Sequence, residues 1–312
     1  MLAEIQQSVS LKDVDLPLSE RAMIDGVIMV FRFVQYGNTE YPKEITPELI
    51  ELAGHLDKDR IEDVPKYSLH TEYSYGKRNL SSDLVRQFPA LCDANKDGVP
   101  QLWKTTEWAE QFAGFVIKLT ESHAAPSVVE IHPPFNDYCD IDQFLDRYRV
   151  FEQIIHKTYP DTEIVVENRA GAVYRGGRFI VGKGKEIALL CSRIQETGAD
   201  LGVVLDFPQL VTAEHLKTDC FDADKYLAAI DTIVPYQNVV KGIHIWGKKQ
   251  AENGRWVAHC GTLDTYFPNK VDRDIFIEGI RKVCSDGRAR LFVPEVNSGE
   301  EDLKAVVSAV IE

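Results

Sequence analysis

Short, nearly continuous apolar runs recur along this 312-residue chain, and stretches of helical length separate them. Such runs lack the polar alternation of a half-exposed strand, so they are typical of strands covered on both faces in a parallel sheet. Six of them are predicted strands, at 26–33, 127–132, 163–168, 201–207, 239–247 and 290–297. Strands that alternate with helices indicate βα units, which limits the chain to α/β folds built on a parallel sheet.

The amphipathic stretches beside these runs are predicted helices. They cover 46–56, 105–122, 140–158, 184–198, 272–284 and 300–311. Thr105 and Asp140 stand at helix starts as capping residues, and Pro47 suits a first helical position. Two less distinct strands are predicted at 3–9 and 67–72, and they bring the number of strands to eight.

Eight strands with their helices predict a single-domain (β/α)8 barrel of the TIM type over residues 1–312. No linker-like or low-complexity segment divides the chain, and residues 81–104 are interpreted as an inserted segment between the third strand and its helix. An open doubly wound sheet is the competing architecture. Its GxGxxG turn after the first strand is absent, which favours the barrel.

Charge and cysteine content bound the partners and the compartment. The net charge of −14, from 35 basic and 49 acidic residues, is unfavourable for a protein that coats nucleic acid. No apolar run approaches the ~18 residues of a membrane span, and the first residues lack the features of a signal peptide. The six cysteines are scattered without a CxxC pair. We therefore expect a cytoplasmic protein with reduced thiols and no membrane partner, in an oligomeric state that the sequence does not specify.

A histidine or a carboxylate stands at the end of six predicted strands. These residues are His70, His132, Glu167, Asp206, His244 and Glu295. From His132 onward the steps are 35, 39, 38 and 51 residues, and the first step is 62 residues because it contains the insertion. Since 312 residues in eight units average 39 per unit, each step is about one βα unit. The six side chains are therefore expected at the C-terminal face, where barrel enzymes have their active sites.

Six such side chains in one place need a cation, because they would otherwise repel one another and remain poorly solvated. A single histidine or aspartate at a strand end is more often structural, and the regular spacing of the whole set is what favours a site. Mixed imidazole and carboxylate ligands suit Zn, Mn, Fe or Co better than Mg or Ca. The sequence therefore predicts one or two divalent metal ions.

These residues lie in segments that resemble the xylose-isomerase-like barrels, a group that includes sugar isomerases and epimerases and the type IV AP endonucleases. The matching segments are HTEYSYGKRNLSS (70–82), VVEIHPP (128–134), VVENRAG (165–171), GVVLDFPQ (202–209), KGIHIWGKK (241–249) and FVPEVNSG (292–299). They follow the order of the group and cover nearly the whole chain. VVENRAG and the strand that contains LD are moderately specific, and the complete order is much more specific.

The resemblance implies different metal sites in the two branches. In the isomerase and epimerase branch it implies one metal held by Glu167, Asp206, His244 and Glu295, with Glu167 and Glu295 acting as the acid and base on the substrate. In the endonuclease branch it implies a second metal held by His70 and His132, with Glu167 as the bridging ligand.

A third metal of the endonuclease branch is not supported by this sequence. The resemblance places a histidine three residues after the aspartate and an Asp-x-His pair on a later loop. This chain has Gln209 at the first position, and its later loop reads RWVAHCG. Because phosphodiester cleavage in a multi-metal site uses cations on both the attacking and leaving oxygens, this loss favours sugar chemistry.

The leading hypothesis is a divalent-metal-dependent isomerase or epimerase acting on a small sugar or a sugar-like hydroxy-ketone. Candidate substrate-binding residues near the barrel mouth are Gln209, Arg169, Trp246, Lys248 and His259. The alternative is an endonuclease IV-like phosphodiesterase that lacks the third metal site and takes a nucleic acid as its partner. A barrel that binds no metal and serves as a binding or assembly subunit is the third possibility.

Overall fold

The computed structural model describes residues 21–24, 27–37, 39, 41–43, 45–170 and 177–312. The strands are β1 (Arg21–Ile24), β2 (Val27–Gln35), β3 (Leu49–Gly54), β4 (Tyr67–Thr71), β5 (Val128–Ile131), β6 (Glu163–Glu167), β7 (Gly202–Asp206), β8 (Val240–Ile245), β9 (Lys248–Gln250), β10 (Trp256–Ala258) and β11 (Ala289–Pro294). Eight of them, β2 to β8 and β11, pair in parallel in chain order, and β11 pairs with β2 to close a barrel. The predicted (β/α)8 barrel is confirmed. The predicted strand at 3–9 lies outside the described residues.

Helices surround this barrel. They are α1 (Ser82–Gln87), α2 (Thr106–Thr120), α3 (Ile141–Thr158), α4 (Gly184–Thr197), α5 (Phe207–Ala213), α6 (Ala223–Ile233), α7 (Leu263–Tyr266), α8 (Lys270–Cys284) and α9 (Glu300–Ile311). At the start of α3, the Asp140 carboxylate accepts from the Gln143 backbone N–H and the Gln143 side chain accepts from the Asp140 backbone N–H, which forms a capping box. Among the described helices, none is long and apolar enough to cross a membrane.

Two apolar layers hold the barrel together. The larger layer lies between the strands and the helices and consists mainly of buried Leu, Ile, Val and Phe side chains. The smaller layer fills the inside of the barrel with Val34, Leu49, Val128, Val165, Val204, Leu291 and Val293. Because inward-facing side chains alternate along each strand, the positions two residues beyond these lie nearer the C-terminal mouth. Polar residues occupy that next level.

The predicted helix at 46–56 is wrong, because this segment contains β3. Leu49 pairs with Val34 of β2, and the strand runs parallel to β4 over five residue pairs. The apolar residues of this segment fit a helical period, but they also fit a strand covered on both faces. Closing the barrel between β2 and β4 requires the strand, and this tertiary pairing decides the conformation. As a result, Glu51 of β3 lies inside the barrel.

The segment 81–104 contains α1, a 3-10 turn at Pro89–Cys92 and, near its end, the buried Trp103. The ring of Trp103 is fully buried against the aromatic rings of α2 and α3. Its indole N–H donates to the backbone carbonyl of His132 at 2.7 Å. The segment therefore packs against the strand end that carries one of the predicted metal ligands.

Candidate metal centre

A cavity of about 610 Å³ opens at the C-terminal mouth of the barrel. Its floor lies directly above the aliphatic interior and carries the polar ends of the strands. The structure brings His70, His132, Glu167, Asp206 and His244 to this floor, and Glu295 lines the cavity beside them. Regular βα spacing brings these residues together because each lies at or next to the C-terminal end of a successive strand of the closed barrel.

The first group of donors is formed by Glu167, Asp206 and His244, whose candidate ligand atoms all lie within 4.8 Å of one another. The Gln209 amide nitrogen donates to Glu167 Oε1 at 2.7 Å and to Asp206 Oδ2 at 2.8 Å. Trp246 Nε1 donates to the same Asp206 oxygen at 2.9 Å. These bonds fix the two carboxylates relative to each other, which is how outer residues orient metal ligands.

Asp206 also explains why the strand turns sharply into a helix at this point. Its Oδ1 accepts a hydrogen bond from the Gln209 backbone N–H at 2.7 Å and thereby caps α5. Gln209 is thus positioned by the carboxylate that it helps to orient. The resemblance to the endonuclease branch implies a histidine ligand at position 209. Here the Gln209 amide bridges the candidate ligands Glu167 and Asp206 instead.

The second group of donors consists of His70, Glu130, His132 and Glu167. His132 Nε2 lies 2.8 Å from Glu167 Oε2, and His70 Nε2 lies 3.7 Å from the same oxygen. Glu130 contacts His70 at 3.6 Å and His244 at 3.3 Å, so it spans the two groups. Glu167 belongs to both groups. Two cations could therefore be held side by side with this carboxylate between them.

Glu295 lies beside the first group of donors and contacts two histidines. Its Oε1 lies 3.3 Å from His244 Nδ1, and its Oε2 lies 3.3 Å from His259 Nδ1. The His259 ring stacks between Trp246, at 4.7 Å between ring centroids, and Tyr36, at 5.9 Å. His259 therefore belongs to the cavity wall, next to a candidate catalytic carboxylate.

Sequence reasoning missed two acidic or histidine residues that line this cavity, Glu51 and His55, and the candidate ligand Glu130 beside it. Glu51 and His55 were missed because the segment 46–56 was interpreted as a helix. Glu130 could have been found from the pattern VVEIH, because two residues apart on a strand share a face and His132 faces inward. Its side chain is 1% exposed.

Burial and neighbouring charges shift the pKa values of Glu51, His55 and His70 in different directions. Burial raises the pKa of Glu51 to about 7 and lowers that of His55 to about 2. Burial opposes protonation of His70, but the charges of Glu51 and Glu167 outweigh it and raise the pKa of His70 to about 9. Protons thus partly neutralise this cluster in the metal-free protein.

The pKa values of Glu167 and Asp206 are also shifted in opposite directions. Burial opposes the charge of Glu167, but Arg169 and His132 hold its pKa well below the ordinary value. Burial, with the neighbouring charges of Glu295 and Glu167, raises the pKa of Asp206 well above its ordinary value. Such opposed shifts in one cavity are typical of functional sites.

Several buried polar atoms of the cluster form no hydrogen bond of good geometry with the described residues, although each lies 3.3–3.6 Å from an oppositely charged partner. They are Glu130 Oε1, both ring nitrogens of His244, His259 Nδ1 and Glu295 Oε2. Buried polar atoms that have only such long contacts are costly, and a cation between them would satisfy them. All of them are nitrogen or carboxylate oxygen ligands of the kind that Zn, Mn, Fe and Co accept. The residues present therefore fit a divalent cation.

Substituting Glu130 by Gln is expected to lower the affinity for Zn²⁺ by about 10- to 100-fold, as the loss of a charged group beside metal ligands usually does, because Glu130 contacts two candidate histidine ligands. The carboxylate lies within 3.6 Å of His70 and 3.3 Å of His244, and the amide keeps its size but removes its charge. Competition with a chromophoric chelator measures the affinity. The matched control is Glu110→Gln on the exposed face of α2. Equal affinities for both variants would contradict this role for Glu130.

We also expect the metal-free protein to lose thermal stability between about pH 6 and about pH 9. The pKa values of His70 and Glu51 are raised in the folded state. The stability that His70 contributes is complete below pH 6.5 and is lost as the pH rises through about 9, and that of Glu51 is complete below pH 4.5 and is lost as the pH rises through about 7. A bound cation replaces these protons, so protein loaded with Zn²⁺ should lose less stability over this range. Melting curves across this range test it. A metal-free protein that becomes more stable as the pH rises would refute the electrostatic description.

No family model matches the sequence, and no curated protein matches it. Similar solved structures include a xylose isomerase domain protein from Alicyclobacillus acidocaldarius, at 14% identity over 78% of this chain and 77% of that one, with a TM-score of 0.37. A sugar phosphate isomerase/epimerase from Parabacteroides distasonis matches at 10% identity over 78% and 68%, with a TM-score of 0.34. A probable 3-DHS dehydratase from Bacillus anthracis matches at 12% identity over 80% and 75%, with a TM-score of 0.38. At identities of 10–14% and TM-scores of 0.34–0.38, the likeness to these structures concerns the fold alone.

Proposed function

We propose that this protein is a divalent-metal-dependent isomerase or epimerase that acts on a sugar or a sugar-like hydroxy-ketone. The observation that carries the proposal is the group formed by Glu167, Asp206 and His244 at the floor of the cavity, with Glu295 beside it. The cavity volume of about 610 Å³ lies within the range of about 300–1,000 Å³ that is common for small-molecule sites.

The first group of donors would hold the metal, and Glu295 lies close enough to His244 to complete its surroundings. When bound, a divalent cation acts as a Lewis acid on a substrate carbonyl or hydroxyl oxygen. Gln209 and Trp246 keep the carboxylate of Asp206 in place through hydrogen bonds of 2.8 and 2.9 Å. The ligands are therefore positioned by residues that are themselves buried in the barrel.

Glu167 and Glu295 would move the proton. Arg169 holds the pKa of Glu167 low, and His259 and His244 outweigh burial to hold that of Glu295 low, so both groups are carboxylates at neutral pH. The Glu295 carboxylate could take a proton from a carbon atom next to a carbonyl and return it to the neighbouring carbon, while the hydroxyl proton passes from one oxygen to the other, which isomerises the sugar. Epimerisation would need both groups: one carboxylate takes the proton from one face, and the other, after gaining a proton from solvent, delivers it to the opposite face.

The two carboxylates are suited to different parts of this transfer. Both oxygens of Glu167 are occupied by Gln209 and His132, at 2.7 and 2.8 Å. Among the described residues, Glu295 Oε2 has only a longer contact with His259 Nδ1, at 3.3 Å, and the side chain lines the cavity. Glu295 is therefore the better-placed base, and Glu167 is better placed as a ligand.

A phosphodiesterase is the second candidate, and the second group of donors favours it. His70, Glu130 and His132 share Glu167 with the first group, so two neighbouring cations could be held at once. Cations on both the attacking and the leaving oxygen are the arrangement that phosphodiester cleavage uses. One metal per chain supports the isomerase, and two per chain support the phosphodiesterase.

Deuterium exchange tests the proposed chemistry across a range of candidate sugars. Protein loaded with Mn²⁺, Co²⁺ or Zn²⁺ is incubated in D₂O with a panel of aldoses and ketoses, and NMR detects exchange at the carbon next to the carbonyl. We expect exchange with at least one sugar and a loss of about 100-fold or more in Glu295→Gln, but not in the exposed control Glu110→Gln. Absence of exchange together with nicking of an abasic-site duplex would favour the phosphodiesterase.

A further inference from the structure

Two cationic side chains lie at the mouth of the cavity, above the metal ligands. Among the described residues that line it, Arg169 and Lys248 are the only lysine or arginine. Arg169 follows β6 by two residues, and Lys248 follows β8 by three residues. Since β7 lies between these two strands, both cations are on the same side of the mouth.

Lys248 forms no ion pair within the described part of the chain. Its Nζ lies over the Trp246 ring at 5.3 Å and over the Tyr266 ring at 5.5 Å from their centroids. The side chain is partly buried and lines the cavity. An ammonium group that is held against aromatic rings has lost much of its hydration and would gain from an anionic partner.

Arg169 is more deeply buried and only partly neutralised. It is 8% exposed, and its Nη1 lies 3.5 Å from Glu167. Its Nε is buried and has no hydrogen-bond partner among the described residues. Its guanidinium also lies 5.3 Å from the centroid of the Tyr73 ring. Because Glu167 also accepts from Gln209 and His132, one carboxylate is shared among three donors and does not saturate Arg169.

The rest of the lining has a different character. Tyr36, His55 and Tyr73 belong to it, and the nearby Arg78 is neutralised by Glu72 at 2.7 Å. In a chain with a net charge of −14, two incompletely paired cations on one side of a cavity that is otherwise acidic and aromatic form a distinct electrostatic feature. Cations placed in this way are complementary to an anion.

We propose that the substrate carries an anionic group, a carboxylate or a phosphate, and that Arg169 and Lys248 bind it. The inference rests on the proposed function, because it assigns the anion to a small sugar whose carbonyl end reaches the metal ligands. The sugar then lies along the wall that Trp246 and His259 form, since sugar rings pack on aromatic faces.

Isothermal titration calorimetry of the purified protein with glucose, glucuronate and glucose 6-phosphate tests the proposal. We expect at least one of the two anionic sugars to bind about 10-fold or more tightly than glucose, and this preference to weaken as the salt concentration rises. Lys248→Met should remove most of the preference. The matched control is Lys249→Met, which removes the same charge from the exposed neighbouring position. Whether glucuronate or glucose 6-phosphate binds more tightly identifies the anionic group.

A repeat of the titrations in the presence of a chelator separates this proposal from the proposed function. A preference that survives chelation and depends on Lys248 supports anion binding even if no isomerase activity is found. A preference that vanishes with the metal and is indifferent to Lys248→Met would assign the anion to the metal and overturn the proposal. Equal affinity for neutral and anionic sugars, including no measurable binding of any of them, would also overturn it.

Discussion

Replacing Glu167 by Gln is expected to abolish stoichiometric binding of a divalent metal. Glu167 is the one residue that belongs to both groups of donors, and the amide removes its charge while keeping its size. Loss of outer partners of a ligand alone weakens binding by about 10- to 100-fold, so loss of a shared ligand should exceed about 100-fold. Elemental analysis after dialysis gives the stoichiometry, and the rise in melting temperature on adding metal gives an independent reading.

Two further variants keep this experiment interpretable. Asp206→Asn should also lose metal, while asparagine remains a good capping residue for α5. His156→Ala is the matched histidine control, because His156 lies near the end of α3 on the opposite side of the barrel from the site. Equal metal content in Glu167→Gln and His156→Ala would show that the cluster does not hold the metal.

Replacing Trp103 by Ala is expected to destabilise the fold by about 3–5 kcal/mol, as the removal of a buried tryptophan usually does. The ring is fully buried within 5.2–5.7 Å of the ring centroids of Trp108, Phe112, Phe144 and Phe151. Its N–H also anchors the His132 carbonyl, so metal affinity should fall as well. Urea unfolding gives the free energy of unfolding.

The matched control for this variant is Trp256→Ala on β10, where the side chain is 54% exposed. Its free energy of unfolding should stay within about 0.5 kcal/mol of the parent protein. If the two tryptophan variants were equally stable, the segment 81–104 would not be integrated into the barrel in the way described.

The fold could be predicted because strand burial and helix amphipathicity agreed along most of the chain. The strands β4 to β8 and β11 were each predicted within a few residues, as were the helices α2, α3, α4, α8 and α9. The helices α5 and α6 were not predicted. The segment of β3 was assigned to a helix, because its local pattern fits both conformations and only its pairing with β2 and β4 distinguishes them.

The candidate site was predictable to the extent that it depends on strand ends. A side chain at the C-terminal end of a barrel strand has its place fixed by topology, so spacing along the sequence is sufficient. Glu130 lies two residues before His132 and therefore deeper inside the barrel. Its contacts with His70 and His244 depend on how the barrel closes. Likewise, Gln209 was expected to mark the loss of a third metal, but its bridge between Glu167 and Asp206 is visible only in three dimensions.

Anomalous scattering from crystals grown with Mn²⁺ or Zn²⁺ tests the central claim most directly. The structure predicts an anomalous peak surrounded by Glu167, Asp206 and His244. A second peak beside His70 and His132 would add the cation that the phosphodiesterase requires. A map with no peak at the barrel mouth, from crystals of protein that retains metal elsewhere, would contradict the assignment of this cluster as the metal centre.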